Sequence, residues 1–146
     1  SHIRTVDEVT KAALQMSKER IGGLIAVERR IGLGSYIEGG VRIDARISAE
    51  LIRSIFFPGN PLHDGAIIIR EDMIVSAGCI LPLSEAPLPR GVGTRHRAAV
   101  GLSEETDAVC VVVSEETGTI SVAVQGRLIR RLSGERLKVT LYDLLK

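Results

Sequence analysis

The stretch Ala66-Ile67-Ile68-Ile69-Arg70, followed by Glu71-Asp72 and an apolar return from Met73 to Leu81, constrains this chain more than any other segment. Nearly unbroken aliphatic runs on either side of a two-residue polar turn read as a hairpin whose strands are buried on both faces. Such a pair belongs in the middle of a sheet, and a sheet covered on both faces needs flanking helices.

The remaining sequence supplies them. Val6, Val9, Ala13, Leu14 and Met16 fall near a helical repeat over residues 5–20, which Gly22-Gly23 stops. Residues 21–28 read as a buried strand, and residues 31–43, broken by Gly32, Gly34, Gly39 and Gly40, as a turn-rich connection. Ser48 caps a second helix carrying Leu51, Ile52, Ile55 and Phe56, which ends at Pro58-Gly59-Asn60-Pro61. A loop over residues 82–93 runs into a helix over 94–105 that starts at a Thr94 cap. Strands follow over 108–113 and 119–124, and a helix over 133–146 closes the chain. Because hairpins interrupt the alternation of strands and helices, the expectation is α/β with a mixed central β-sheet flanked by helices. The 146 residues suffice for one domain with its own core, so a single domain over 1–146 is expected.

Bulk charge excludes one class of function. Lys and Arg number 19 against 18 Asp and Glu, so no overall field draws the chain to nucleic acid, and any anion binding must be local. Cys79 and Cys110 lie in apolar strands without CxxC spacing and read as buried free thiols. No apolar run reaches the roughly 18 residues of a membrane span, so this stretch is expected to be soluble. The start at Ser1-His2 suggests a tag remnant on a domain cut from a longer protein.

Three segments carry chemistry. In His63-Asp64-Gly65-Ala66 a carboxylate and an imidazole stand at the mouth of an apolar strand, where Asp64 can bind a hard cation or take a proton from a hydroxyl. Alone, the same residues are an ordinary turn. In Gly91-Val92-Gly93-Thr94-Arg95-His96-Arg97 glycines, a helix start and three basic side chains coincide, which favours a polyphosphate over a solvated basic turn or arginines paired with Glu104 and Glu105. Ser114-Glu115-Glu116-Thr117-Gly118 is an acidic turn after a strand that could complete a Mg²⁺ or Mn²⁺ site with Asp64. Neither a Walker A pattern nor GxGxxG occurs.

With these residues in place, the chain resembles the diadenylate cyclase family, whose Asp-Gly-Ala and Arg-His-Arg motifs stand here as Asp64-Gly65-Ala66 and Arg95-His96-Arg97. Pro61-Leu62-His63, Leu81-Pro82-Leu83-Ser84, Ala98-Ala99-Val100-Gly101 and the 114–118 turn also look like family sequence. The likeness is to the membrane-anchored subtype, which implies a catalytic domain at the cytoplasmic face of the membrane, preceded by transmembrane helices and touched by regulatory partners. It implies the diadenylate cyclase fold, ATP as substrate, cyclic di-AMP and pyrophosphate as products, a face-to-face homodimer, and Mn²⁺, Mg²⁺ or Co²⁺ as cofactor.

Position by position, the resemblance implies that Asp64 helps activate the ribose 3′-hydroxyl, while Gly65 and Ala66 shape the nucleotide floor. It implies that Thr94, Arg95, His96 and Arg97 bind the triphosphate with Gly93, Ser114 and Glu115 beside them, and that Gly78 and the Leu81 backbone lie against the nucleotide. Metal contacts would come from His63, Asp64 and Glu115 or Glu116. Ile80 replaces the aromatic residue expected before the leucine, which predicts aliphatic packing where adenine would stack. The alternatives are a module that binds ATP or a cyclic dinucleotide without turnover, and a metal-dependent phosphohydrolase built on His63, Asp64 and Glu115.

Overall fold

The computed structural model describes residues 2–146. Its elements run α1 (Ile3–Glu19), β1 (Gly23–Val27), α2 (Gly34–Glu38), β2 (Val41–Arg46), α3 (Ala49–Phe56), β3 (Ala66–Arg70) and β4 (Met73–Cys79). They continue with α4 (Thr94–Glu105), β5 (Val109–Val113), β6 (Ile120–Val124), β7 (Arg127–Ile129) and α5 (Gly134–Leu145). The strands form one seven-stranded sheet in the order β2-β4-β3-β1-β5-β6-β7. Only β1 and β3 pair in parallel, with Ile25 opposite Ile67; the other neighbours are antiparallel. The sheet is therefore mixed, as the interleaving of hairpins and helices requires.

Alternation along the strands divides the core in two. Ile25, Ile67, Ile69, Val111 and Val113 face α1, α3 and α5, where Met16, Phe56, Leu137 and Leu141 are buried. Leu24, Ala26, Ile68, Cys110 and Val112 face the other way, towards α2 and the Ala98, Ala99 and Leu102 surface of α4. With each fully buried aliphatic side chain contributing on the order of 1.5–3 kcal/mol, this two-sided burial of the central strands is the main source of stability. Both cysteines are free and buried, and burial alone pushes the Cys110 thiol up to about 12.

Four features differ from the reading of the sequence. The 66–81 hairpin is interior, but β1 is the middle strand and β4 is covered by β2. The stretch 31–43 holds the short helix α2 and the start of β2, and β7 forms one edge of the sheet. Every residue of β2 and β7 is exposed or only partly buried; β2 does alternate apolar Val41, Ile43 and Ala45 with charged residues, a strand signal that the neighbouring glycines obscure, whereas β7 is too short to show a period. The cap of α4 is Gly93 rather than Thr94, with the His96 side chain in the capping role: the Gly93 N–H donates to His96 Nδ1 at 3.1 Å. Ser48 caps α3 as expected, accepting from the Leu51 N–H at 3.1 Å.

Candidate active site

At one end of the sheet β1 and β3 begin while β4 and β5 finish, and the chain segments leaving them surround a cleft of about 800 Å³. The size suits a nucleotide-sized ligand. Its floor is built from Leu24, Gly65, Gly78 and Leu81; His63 and Asp64 form one wall, Gly93, Thr94, Arg95 and His96 another, and Ser114, Glu115 and Glu116 a third. The three segments singled out in the sequence thus meet in one cavity.

The first wall is set by a hydrogen-bonded turn. The Asn60 side chain accepts from the Leu62 N–H at 2.8 Å and donates to the Ser54 carbonyl at 3.0 Å, so the chain after α3 turns back towards the sheet. His63 Nδ1 lies 2.8 Å from the Asn60 carbonyl oxygen. A carbonyl only accepts, so Nδ1 carries the proton and Nε2 keeps its lone pair. Asp64 follows with its carboxylate exposed. Gly65 then adopts φ +102°, and a Cβ there would lie 2.8 Å from the Gly78 carbonyl carbon and 2.9 Å from the Cys79 oxygen. Only glycine satisfies both the positive φ and that approach, and the β3–β4 register shifts at the same place.

The second wall is the start of α4. Helix N-termini attract anions through free N–H groups and the helix dipole. Arg95 adds a guanidinium 3.1 Å from Glu115, whose side chain is 63 % exposed, while the buried Arg95 Nε has no hydrogen-bond partner among the described residues. An unpaired donor of this kind next to a helix start is an anion-binding signal. Neither Glu104 nor Glu105 competes for the basic segment, since Glu104 accepts from Ser84 and Glu105 from Tyr36.

His96 is only 4 % exposed, and burial, with Arg130 and Arg95 nearby, lowers its pKa from the ordinary value of 6.5. The neutral ring accepts at Nδ1 from Gly93 and keeps Nε2–H as a donor. Because its folded value is depressed, the stability that depends on neutral His96 is present above pH 6.5 and is lost as pH falls below it. The denaturation midpoint should therefore drop as pH is lowered through 6.5, and His96→Gln should flatten that slope; an unchanged slope in the variant would refute the assignment.

The third wall is fastened to α1. The Gly118 N–H donates to the Ser114 carbonyl at 2.9 Å, Arg20 Nη1 donates to the Glu116 carbonyl at 2.9 Å, and the Ser17 hydroxyl donates to the Gly118 carbonyl. Among the described residues no three His, Cys, Asp or Glu side chains converge into a metal-holding group. Asp64 and the bare His63 Nε2 offer an oxygen and a nitrogen at the mouth of the cleft, with Glu115 and Glu116 also lining it. That donor set fits a Mg²⁺- or Mn²⁺-like ion completed by phosphate oxygens and water, not an all-protein cage.

Two of the expected residues point elsewhere. Ala66 is fully buried in β3, under the floor, and the Arg97 guanidinium is turned away and bonded to the 82–93 loop. Ile80, by contrast, is 81 % exposed on the rim of the cleft. Arg130, which no motif marks, lies near His96, and its buried Nε is also without a partner among the described residues.

A mixed sheet with a glycine-floored cleft, one wall carboxylate-bearing and another an arginine-bearing helix start, defines an α/β domain built to hold an anionic ligand. The family described as DisA bacterial checkpoint controller nucleotide-binding, abbreviated DAC, matches residues 10–128. The chain belongs to this family. It is 52 % identical over 136 residues to the cyclic di-AMP synthase CdaA of Bacillus subtilis, covering 92 % of this chain and 50 % of that protein. It is 49 % identical over 142 residues to a diadenylate cyclase of Listeria monocytogenes, covering 96 % and 52 % respectively. The chain thus spans about half the length of these curated relatives. A crystal structure of DacA from Staphylococcus aureus, a double mutant, is 48 % identical with a TM-score of 0.93, covering 96 % of this chain and 94 % of that one. A Bacillus cereus protein described as a hypothetical membrane spanning protein is 46 % identical with a TM-score of 0.83, covering 87 % of this chain and 63 % of that one.

Proposed function

We propose that this chain is the catalytic domain of a diadenylate cyclase, converting two ATP into cyclic di-AMP and two pyrophosphates. The observation that carries the reading is the union of Asp64-Gly65 and Gly93-Thr94-Arg95 in one nucleotide-sized cleft, within a family whose relatives are named for this reaction. The triphosphate lies against the start of α4, with Thr94, Arg95, the His96 Nε2–H and the Ser114 hydroxyl as donors. The base rests on the apolar floor at Leu24 and Leu81 beside Gly78, with Ile80 supplying aliphatic contact at the rim.

The reaction joins O3′ of one nucleotide to the α-phosphorus of the other. The bond from that phosphorus to the bridging oxygen of the β-phosphate breaks, and pyrophosphate leaves with the electron pair. Asp64 orients the 3′-hydroxyl and takes its proton. Arg95 and the N–H groups of α4 stabilise charge on the phosphates, and most of the acceleration comes from positioning. Diadenylate cyclases generally need a divalent metal. Asp64 and His63, with Glu115 or Glu116, would hold Mn²⁺, Mg²⁺ or Co²⁺ here, and the ion would supply charge neutralisation at the phosphates.

One cleft holds one ATP, so the second comes from another copy facing it. The exposed Asp64 and the exposed apolar side chains of Ile80 and Leu83 at the rim support such a face-to-face homodimer. The domain spans 1–146 as one unit, and a membrane anchor with regulatory partners belongs to the remainder of the full-length protein. Among the described residues no helix is long and apolar enough to cross a membrane.

Incubation of the domain with ATP and each metal in turn, followed by mass-resolved chromatography, tests the reading. Cyclic di-AMP is the expected product; unchanged ATP would favour the binding module, and ADP or AMP the phosphohydrolase.

A further inference from the structure

The second arginine of the Arg95-His96-Arg97 motif stands in a different environment from the first. On a helix, residues two apart are about 200° around the axis and do not share a face. Arg95 lines the cleft, and Arg97 does not. Arg97 Nη1 donates to two carbonyl oxygens of the neighbouring loop, those of Ser84 and Ala86, each at 2.9 Å. The Ser84 N–H returns the contact to the Arg97 carbonyl at 3.0 Å. Ser84 is 3 % exposed, and its hydroxyl donates to Glu104 Oε2 at 2.8 Å and accepts from the Ala86 N–H at 3.1 Å. This segment directly follows Leu81 and Leu83, which line the base side of the cleft, while α4 carries the phosphate side.

We infer that Arg97 is a positioning residue that clamps the 84–86 segment to α4 and so sets the base side of the cleft relative to the phosphate side, rather than a triphosphate contact. The inference rests on the proposed ATP site. A charge acting on the triphosphate would matter only to ligands that carry phosphates. A clamp on the loop matters to the nucleoside as well. Both charge-assisted bonds leave Nη1, and a lysine, whose ammonium sits one bond closer to the backbone on a flexible stem, does not bring a donor to the same point.

The experiment compares ATP and adenosine binding by calorimetry for the parent, Arg97→Ala, Arg97→Lys and Arg95→Ala. It adds hydrogen exchange at the Ala86 amide without any ligand. Arg97→Ala should weaken adenosine and ATP by a similar factor, about tenfold, and speed exchange at Ala86. Arg97→Lys should restore little of either, and Arg95→Ala should weaken ATP while sparing adenosine. Loss of ATP affinity alone in Arg97→Ala, rescue by lysine, or unaltered exchange at Ala86 would overturn the inference. Exchange in the ligand-free protein decides on the clamp even if the parent binds no nucleotide, an outcome that would instead remove the proposed function.

Discussion

Asp64→Asn is expected to leave the thermal unfolding midpoint near that of the parent and to reduce cyclic di-AMP formation by at least about a hundredfold, the lower range of what a positioned general base contributes. The side chain is exposed and makes no hydrogen bond among the described residues, so removing its charge disturbs no packing. The amide keeps the shape of the carboxylate but neither accepts a proton nor offers an anionic oxygen to a cation. ATP affinity should fall far less than turnover, because the proposed triphosphate site is on another wall of the cleft, at the start of α4. Turnover equal to the parent, measured with metal and ATP in excess, would remove Asp64 from the chemistry.

Gly101→Ala is expected to be the most destabilising single methyl in the protein. Gly101 lies on the face of α4 that packs against the loop, and a Cβ there would sit 1.9 Å from the Pro82 oxygen and 2.9 Å from the Ser84 nitrogen. Both are backbone atoms, so no side-chain rotation relieves the clash. Alanine in a helix interior gains about 1 kcal/mol over glycine, whereas forcing a helix off packed backbone costs about 3 kcal/mol. The clash wins, leaving a net loss of about 2 kcal/mol and a fall in unfolding midpoint of about 4–8 °C for a chain of this length. Because the loop follows Leu81 and Leu83, on the proposed base side of the cleft, adenosine binding should weaken with it. A midpoint at or above the parent's would mean that α4 and the loop are not packed as described.

The elements legible in the sequence are those whose own residues bury a strong periodic pattern. The repeat from Val6 to Met16, the aliphatic run Ala66 to Ile69 and the Val109–Val113 strand each specify their structure locally, and all are buried in the sheet or against it. β2 carries a period-two alternation, Val41, Ile43 and Ala45 against Arg42, Asp44 and Arg46, that is obscured beside Gly39-Gly40, whereas the three residues of β7 are too few to show one. Edge strands like these form where an existing sheet offers backbone partners, a property of the neighbours rather than of the strand. The Thr94 cap failed because the helix starts one residue earlier: the Arg97 N–H already donates to the Gly93 carbonyl at 3.1 Å, which places Thr94 in the first turn and Gly93 at the cap.

The sequence by itself determined the aliphatic core, the mixed sheet with helices on both faces, and the identities of the groups in the cleft. The tertiary structure decided which of them face one another. Asp64 and Arg95 stand 31 positions apart in the sequence, and only the fold, with β3 and α4 beginning at the same end of the sheet, brings their segments to one cavity. Arg95 and Arg97 are the same residue type in one motif, yet helix phase turns the first to the cleft and the second to the loop. Composition and motif fix what chemistry is available; direction in space depends on backbone geometry and packing, which no single segment encodes.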